Sequence, residues 1–104
     1  NTFNITNNGS TDYTYAQDNK FFTANTNDPI LYLRRGETYK FIVNAGGHPF
    51  EIRASNGGAA YNTGVTNNTQ SNATITFIVP MPAPATLYYQ CTAHSGMGNT
   101  INIV

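Results

Sequence analysis

An intramolecular disulfide is excluded at the outset, because Cys91 is the only cysteine in 104 residues. Charge is almost as scarce: charged side chains make up 10% of the chain, five basic against five acidic. Neutralising phosphates takes clustered Lys or Arg, so nucleic acid is excluded as a partner. The one basic doublet, Arg34-Arg35, reads as a solvated strand end. With zero net charge, long-range steering of a charged partner is expected to be weak. No apolar stretch approaches the ~20 residues of a membrane-spanning helix. A signal-peptide pattern is missing as well, since Asn1-Thr2-Phe3 opens directly onto a strand-like alternation. The chain therefore reads as a mature, processed protein or a domain of a larger one. Glycine-rich phosphate loops and paired carboxylates are also lacking, so the chemistries that depend on them are not expected.

A chain of this length forms one domain, 1–104, and buries roughly 60–65% of its unfolded surface around one core. There is no linker, no internal repeat and no long helical period. Instead, short alternating or apolar runs are separated by turn residues, the pattern of a sandwich or barrel. Phe3-Asn4-Ile5-Thr6, Tyr13-Thr14-Tyr15, Ile30-Leu31-Tyr32-Leu33, Thr38 to Val43, Phe50-Glu51-Ile52, Ala73 to Val79, Thr86 to Cys91 and Thr100 to Val104 are the candidate strands. In the best of them Ile75, Phe77 and Val79 share a face and β-branched threonines fill the other. Ser55 to Asn72, rich in Asn, Gly and Thr, reads as a long loop with at most one helical turn. The expected fold is an all-β, Greek-key sandwich of seven or eight strands.

The chemistry is concentrated in Tyr88 to Gly98, which reads YYQCTAHSGMG. Cys91, His94 and Met97 follow a C-x2-H-x2-M spacing at the end of a strand. The only other histidine, His48, lies in Asn44-Ala45-Gly46-Gly47-His48-Pro49-Phe50 at the junction of two strands. Taken singly, each has an ordinary explanation: Cys91 as a small buried hydrophobe, Met97 as packing, His48 as a turn residue. Taken jointly, four of the chain's five His, Cys and Met residues sit where one copper site needs them. A thiolate, two imidazoles and a weak axial thioether form a trigonal donor set suited to copper. Met81, in Pro80-Met81-Pro82, has no histidine nearby and reads as packing. A structural zinc site normally takes four Cys or His ligands, and three are present. A Cys–His nucleophilic pair leaves Met97 unexplained.

These residues resemble the cupredoxin family, in particular small plastocyanin- and amicyanin-like blue copper proteins. The likeness rests on a histidine after the strand Tyr39 to Asn44, a gap of some forty residues, Tyr89 to Met97, and a last strand. The two-residue spacings are those of amicyanins. Pro29 to Tyr39 also resembles the family's strand, Gly-Asp/Glu, strand approach to the first histidine. The resemblance implies one copper ion per chain, cycling between Cu(II) and Cu(I), with His48, Cys91 and His94 as equatorial ligands and Met97 as the axial one. It implies one-electron transfer between redox protein partners that dock weakly and briefly on a monomer, in the periplasm or outside the cell. A copper-binding or copper-free interaction module of a larger extracellular, surface or virion protein is the alternative.

Two departures bear on the sulfur. Many family members follow the first histidine with a residue whose N–H points at the cysteine sulfur, whereas Pro49 has no N–H. Many also carry proline two residues after the cysteine, where this chain has Ala93, whose N–H is available to the same sulfur. Thr92 and Tyr89 complete the expected surroundings; Tyr89 shares the Cys91 face of the strand while Tyr88 and Gln90 point the other way. The resemblance places the docking surface around His94, with Ala45, Gly46, Gly47, Ser95, Gly96 and Pro82 or Pro84 as small or apolar neighbours.

Overall fold

The computed structural model describes residues 1–104, which form ten strands and no helix. In chain order these are β1 (Thr2–Asn8), β2 (Asp12–Tyr15), β3 (Thr26–Asn27), β4 (Leu31–Leu33), β5 (Thr38–Val43), β6 (Phe50–Arg53), β7 (Val65–Thr66), β8 (Thr74–Ile78), β9 (Thr86–Cys91) and β10 (Gly98–Ile103). Eight of them have three or more residues, in keeping with the seven or eight read from the pattern. The two-residue β3 and β7 are the additions. Between Ser55 and Asn72 there is no helical turn; the segment is held by β7 and by isolated bridges from Phe50 to Gln70 and from Arg53 to Ala60.

A six-stranded sheet in the order β3-β2-β1-β5-β8-β7 packs on a four-stranded sheet in the order β4-β10-β9-β6. Both are mixed, because β1 pairs parallel with β5 and β4 pairs parallel with β10. The period of two explains the layering: β1, β5 and β8 each bury alternate side chains. Phe41 lies beside Phe3 on one neighbour and opposite Ile75 on the other, and Tyr39 lies opposite Phe77. Aromatic rings join the sheets across the core, with Phe50 of β6 5.5 Å from Phe41 and 4.9 Å from Tyr13. Burying each such ring contributes about 1.5–3 kcal/mol.

β9 departs from the alternation. Leu87, Tyr89 and Cys91 face the core, yet Gln90 on the opposite face is also fully buried. Being the third strand of four, β9 has neighbours on both edges, and its outer face is capped near Gln90 by the turn at Asn56-Gly57.

Candidate metal centre

The two loops that carry the candidate donors are fastened side by side. Phe50 of β6 pairs with Cys91 of β9, and just beyond the ladder the Thr92 N–H donates to the Pro49 carbonyl at 3.0 Å. His48 precedes this register by two residues. It closes a turn by donating its N–H to the Ala45 carbonyl at 2.9 Å, with Gly47 at φ +81°, a value that favours glycine. On the other side, the Cys91 N–H donates to Met97 O at 2.8 Å and the Met97 N–H to His94 O at 3.1 Å. The C-x2-H-x2-M spacing is thus the length of one loop that closes on its own first residue.

This brings three donors to one point. The Cys91 sulfur lies 3.6 Å from Nδ1 of His94 and 3.9 Å from Nδ1 of His48. All three ligand atoms fall within 4.8 Å of one another, and the imidazole rings are 5.0 Å apart at 40°. Bonds of about 2.3 Å to thiolate and about 2.0 Å to imidazole, the lengths known for zinc, separate sulfur and nitrogen by about 3.7 Å when set about 120° apart. The observed pair of distances brackets that value, as a trigonal metal requires of both sulfur–nitrogen pairs. Cys91 is buried, both histidines are half-buried, and Met97 is fully buried at the end of the loop. One soft thiolate with two imidazoles and a thioether nearby in the chain favours copper over zinc or the hard cations.

No protein-family model and no curated protein sequence matches the chain. Solved structures do. A rusticyanin variant structure aligns over 99% of this chain and 76% of its own, with a TM-score of 0.56 and 17% identity. A second rusticyanin variant aligns over the same shares, with a TM-score of 0.53 and 16% identity. The fold is that of the cupredoxins.

Around the three donors, Tyr89 stacks on Phe50 (5.3 Å, 10°) and its hydroxyl donates to the Pro29 carbonyl at 2.6 Å. Pro49 is half-buried and serves through its carbonyl; Thr92 and Ala93 are exposed, and the Ala93 N–H donates to no backbone carbonyl. Gly46, Gly47, Ser95 and Gly96 are exposed beside half-buried His94 and His48. Three expectations are corrected. Ala45 is wholly buried in the core and takes no part in that surface. Pro82 and Pro84 precede β9, whereas Cys91 ends it, so a strand of about 17 Å separates them from the site. Met81, expected to pack, is 69% exposed at that far pole.

Four residues that shape the centre carry no local signal of doing so. Tyr13 of β2 donates its hydroxyl to the His48 carbonyl at 2.7 Å. Burial first, then the neighbouring Cys91 sulfur, pushes the pKa of that phenol far above the ordinary range. Asp28 accepts from the Tyr13 N–H at 2.9 Å and from the Gly98 N–H at 3.1 Å, just after Met97. Burial raises its carboxyl to about 6, against the lowering effect of those two N–H groups. Gly98 has φ +149°, and a Cβ there would lie 2.0 Å from the Tyr89 carbonyl oxygen, so only glycine fits. Gln90 is the fourth. Only the periodic burial of Tyr13 and the Gly-Met-Gly string hinted at any of them.

Proposed function

We propose that this chain is a type 1 copper protein that carries single electrons between redox partners, with a plastocyanin- or amicyanin-like site. His48, Cys91 and His94 are its equatorial ligands and Met97 its weak axial one. The observation that carries this reading is the convergence of the Cys91 sulfur with Nδ1 of both histidines at the spacing of a trigonal site. The cupredoxin fold supports it. A bound copper ion supplies one-electron chemistry between Cu(II) and Cu(I).

The chain's own part is to keep the donors still. Tyr13 holds the carbonyl of His48, Thr92 ties the two ligand loops, and the Cys91 and Met97 amides lock the second loop. Donors fixed in this way move little when charge arrives or leaves. The core rings of Phe50, Tyr13 and Tyr89 enclose the inner side, and buried Cys91 is shielded from oxidants and water. Half-buried His94, flanked by exposed Ser95 and Gly96 and near Gly46 and Gly47, is the side chain through which electrons enter and leave. Small neighbours let a partner's surface approach closely. Docking on so small an uncharged patch is weak, which suits rapid release, and the protein works outside the cytoplasm as a monomer.

Titrating Cu(II) into the purified protein tests the reading. One equivalent is expected to produce an intense visible band from thiolate-to-copper charge transfer. In Cys91→Ser that band is expected to be lost entirely. A wild-type protein that stays colourless overturns the proposal.

A further inference from the structure

Gln90 immediately precedes Cys91 on β9, and the strand period turns its side chain away from the sulfur. It is the one polar residue among the buried residues other than those of the hydrophobic core. A glutamine amide offers two donors and two acceptor lone pairs, and all four are used. Nε2 donates to the Ser95 carbonyl at 2.5 Å and to Asn56 Oδ1 at 2.9 Å. Oε1 accepts from Arg53 Nη1 and from the Gly57 N–H, both at 2.8 Å. Arg53 and Gly57 can only donate, which fixes which end of the amide faces which partner. Arg53 is itself held by Glu51 at 2.8 Å, and Glu51 accepts from Thr69 Oγ1 at 2.6 Å. A continuous set of hydrogen bonds therefore runs from the β6–β8 connection to a carbonyl lying between His94 and Met97.

No backbone N–H donates to the Ser95 carbonyl, so Gln90 is its protein partner. Ala93, Ser95 and Gly96 are exposed, and between His94 and Met97 the Gln90 bond is the one that ties the loop to the Asn56-Gly57 turn. We propose that Gln90 is a positioning residue: it clamps the His94–Met97 loop onto the Asn56-Gly57 turn and sets the loop's shape before metal arrives. Its effect on a bound copper rests on the copper-site reading; the clamp itself does not. An apolar residue at this position would leave the Ser95 carbonyl, the Gly57 N–H and one Arg53 donor without their protein partner in a part-buried site, where water replaces such a bond only in part.

Two variants separate the clamp from mere packing. Gln90→Leu removes all four bonds. Gln90→Glu keeps an acceptor for Arg53 and Gly57 but loses both donors, and its retained ion partner keeps it folded if the leucine variant fails. In the metal-free protein, hydrogen exchange at the Met97 and Gly98 amides is expected to be at least tenfold faster in either variant, with β8 amides unchanged. After copper loading, both variants keep every proposed ligand, yet their visible charge-transfer and electron-spin spectra are expected to shift from wild type. Unchanged exchange at Met97 and Gly98 in a folded variant overturns the clamp, as does acceleration spread equally over β8. If the wild type binds no copper, the copper reading fails while the exchange measurement still decides the clamp.

Discussion

Pro49 has no N–H to offer the Cys91 sulfur, whereas the Ala93 N–H is free of any backbone carbonyl. The sulfur's contacts here are the two imidazoles, so a bond from Ala93 would form on the metal-bound thiolate, where it would withdraw electron density and favour the reduced metal. Replacing Ala93 with proline removes the donor and keeps the ligands. The reduction potential of the copper-loaded Ala93→Pro protein is expected to fall, by about 20–60 mV if the bond contributes the usual 0.5–1.5 kcal/mol to a one-electron couple. Voltammetry decides it, and a potential that stays put or rises rules the bond out. At this scale the sequence was legible where function and spacing coincide. Cys91, His94 and Met97 occupy one loop, and two histidines leave little choice for the fourth position. Tyr13 and Gln90 were not legible in these roles. Tyr13 acts on a backbone carbonyl 35 residues away, and Gln90 depends on a turn 33 residues before it. Side-chain alternation says which way a residue points, not what waits there.

Strands and turns were legible for a different reason. Where one face is buried, as in β1, β5 and β8, the period of two is written into the residue types. Two residues carry no period, which is why β3 and β7 escaped notice, and pairing partners such as β1 with β5 leave no trace in either segment. Asp28 shows what such unseen pairing does. Its carboxylate joins β2, through Tyr13, to β10, through Gly98, so it bolts the two sheets together beside the metal loops. Its folded-state pKa, about 6, lies above the ordinary carboxylate value of 3.8 because burial disfavours the charge. Between these two values the folded protein holds more protons than the unfolded chain, so stability declines as pH rises through the window. The contribution is fully present below about pH 4 and lost above about pH 6. In thermal melts of the metal-free protein, the melting temperature of wild type minus that of Asp28→Asn is expected to fall from pH 4 to pH 6 and level off above 7. A difference that rises over that interval would falsify the assignment of the shift to burial.

The whole molecule measures 35 × 31 × 20 Å and carries five positive and five negative side chains. The four-stranded and six-stranded sheets together hold both ligand loops at one end, since β5 and β9 each run toward it before turning into residues 44–49 and 92–97. That end holds no Lys, Arg, Asp or Glu in either loop. Two copies meeting there, one oxidised and one reduced, therefore feel no net monopole and no charged side chain from either ligand loop. Salt shortens the Debye length from about 30 Å at 0.01 M to about 3 Å at 1 M, a range from the size of the whole molecule to that of a single side chain. Even so, the electron self-exchange rate of the copper-loaded protein, read from NMR line widths in redox mixtures, is expected to change less than about twofold across that range. Placing a charge on the patch supplies the contrast. Ser95→Lys sets like charges face to face, so its self-exchange is expected to be slower than wild type at 0.01 M and to recover as salt is added. A variant whose rate ignores salt as wild type does would mean that electrons leave through a surface other than the one around His94.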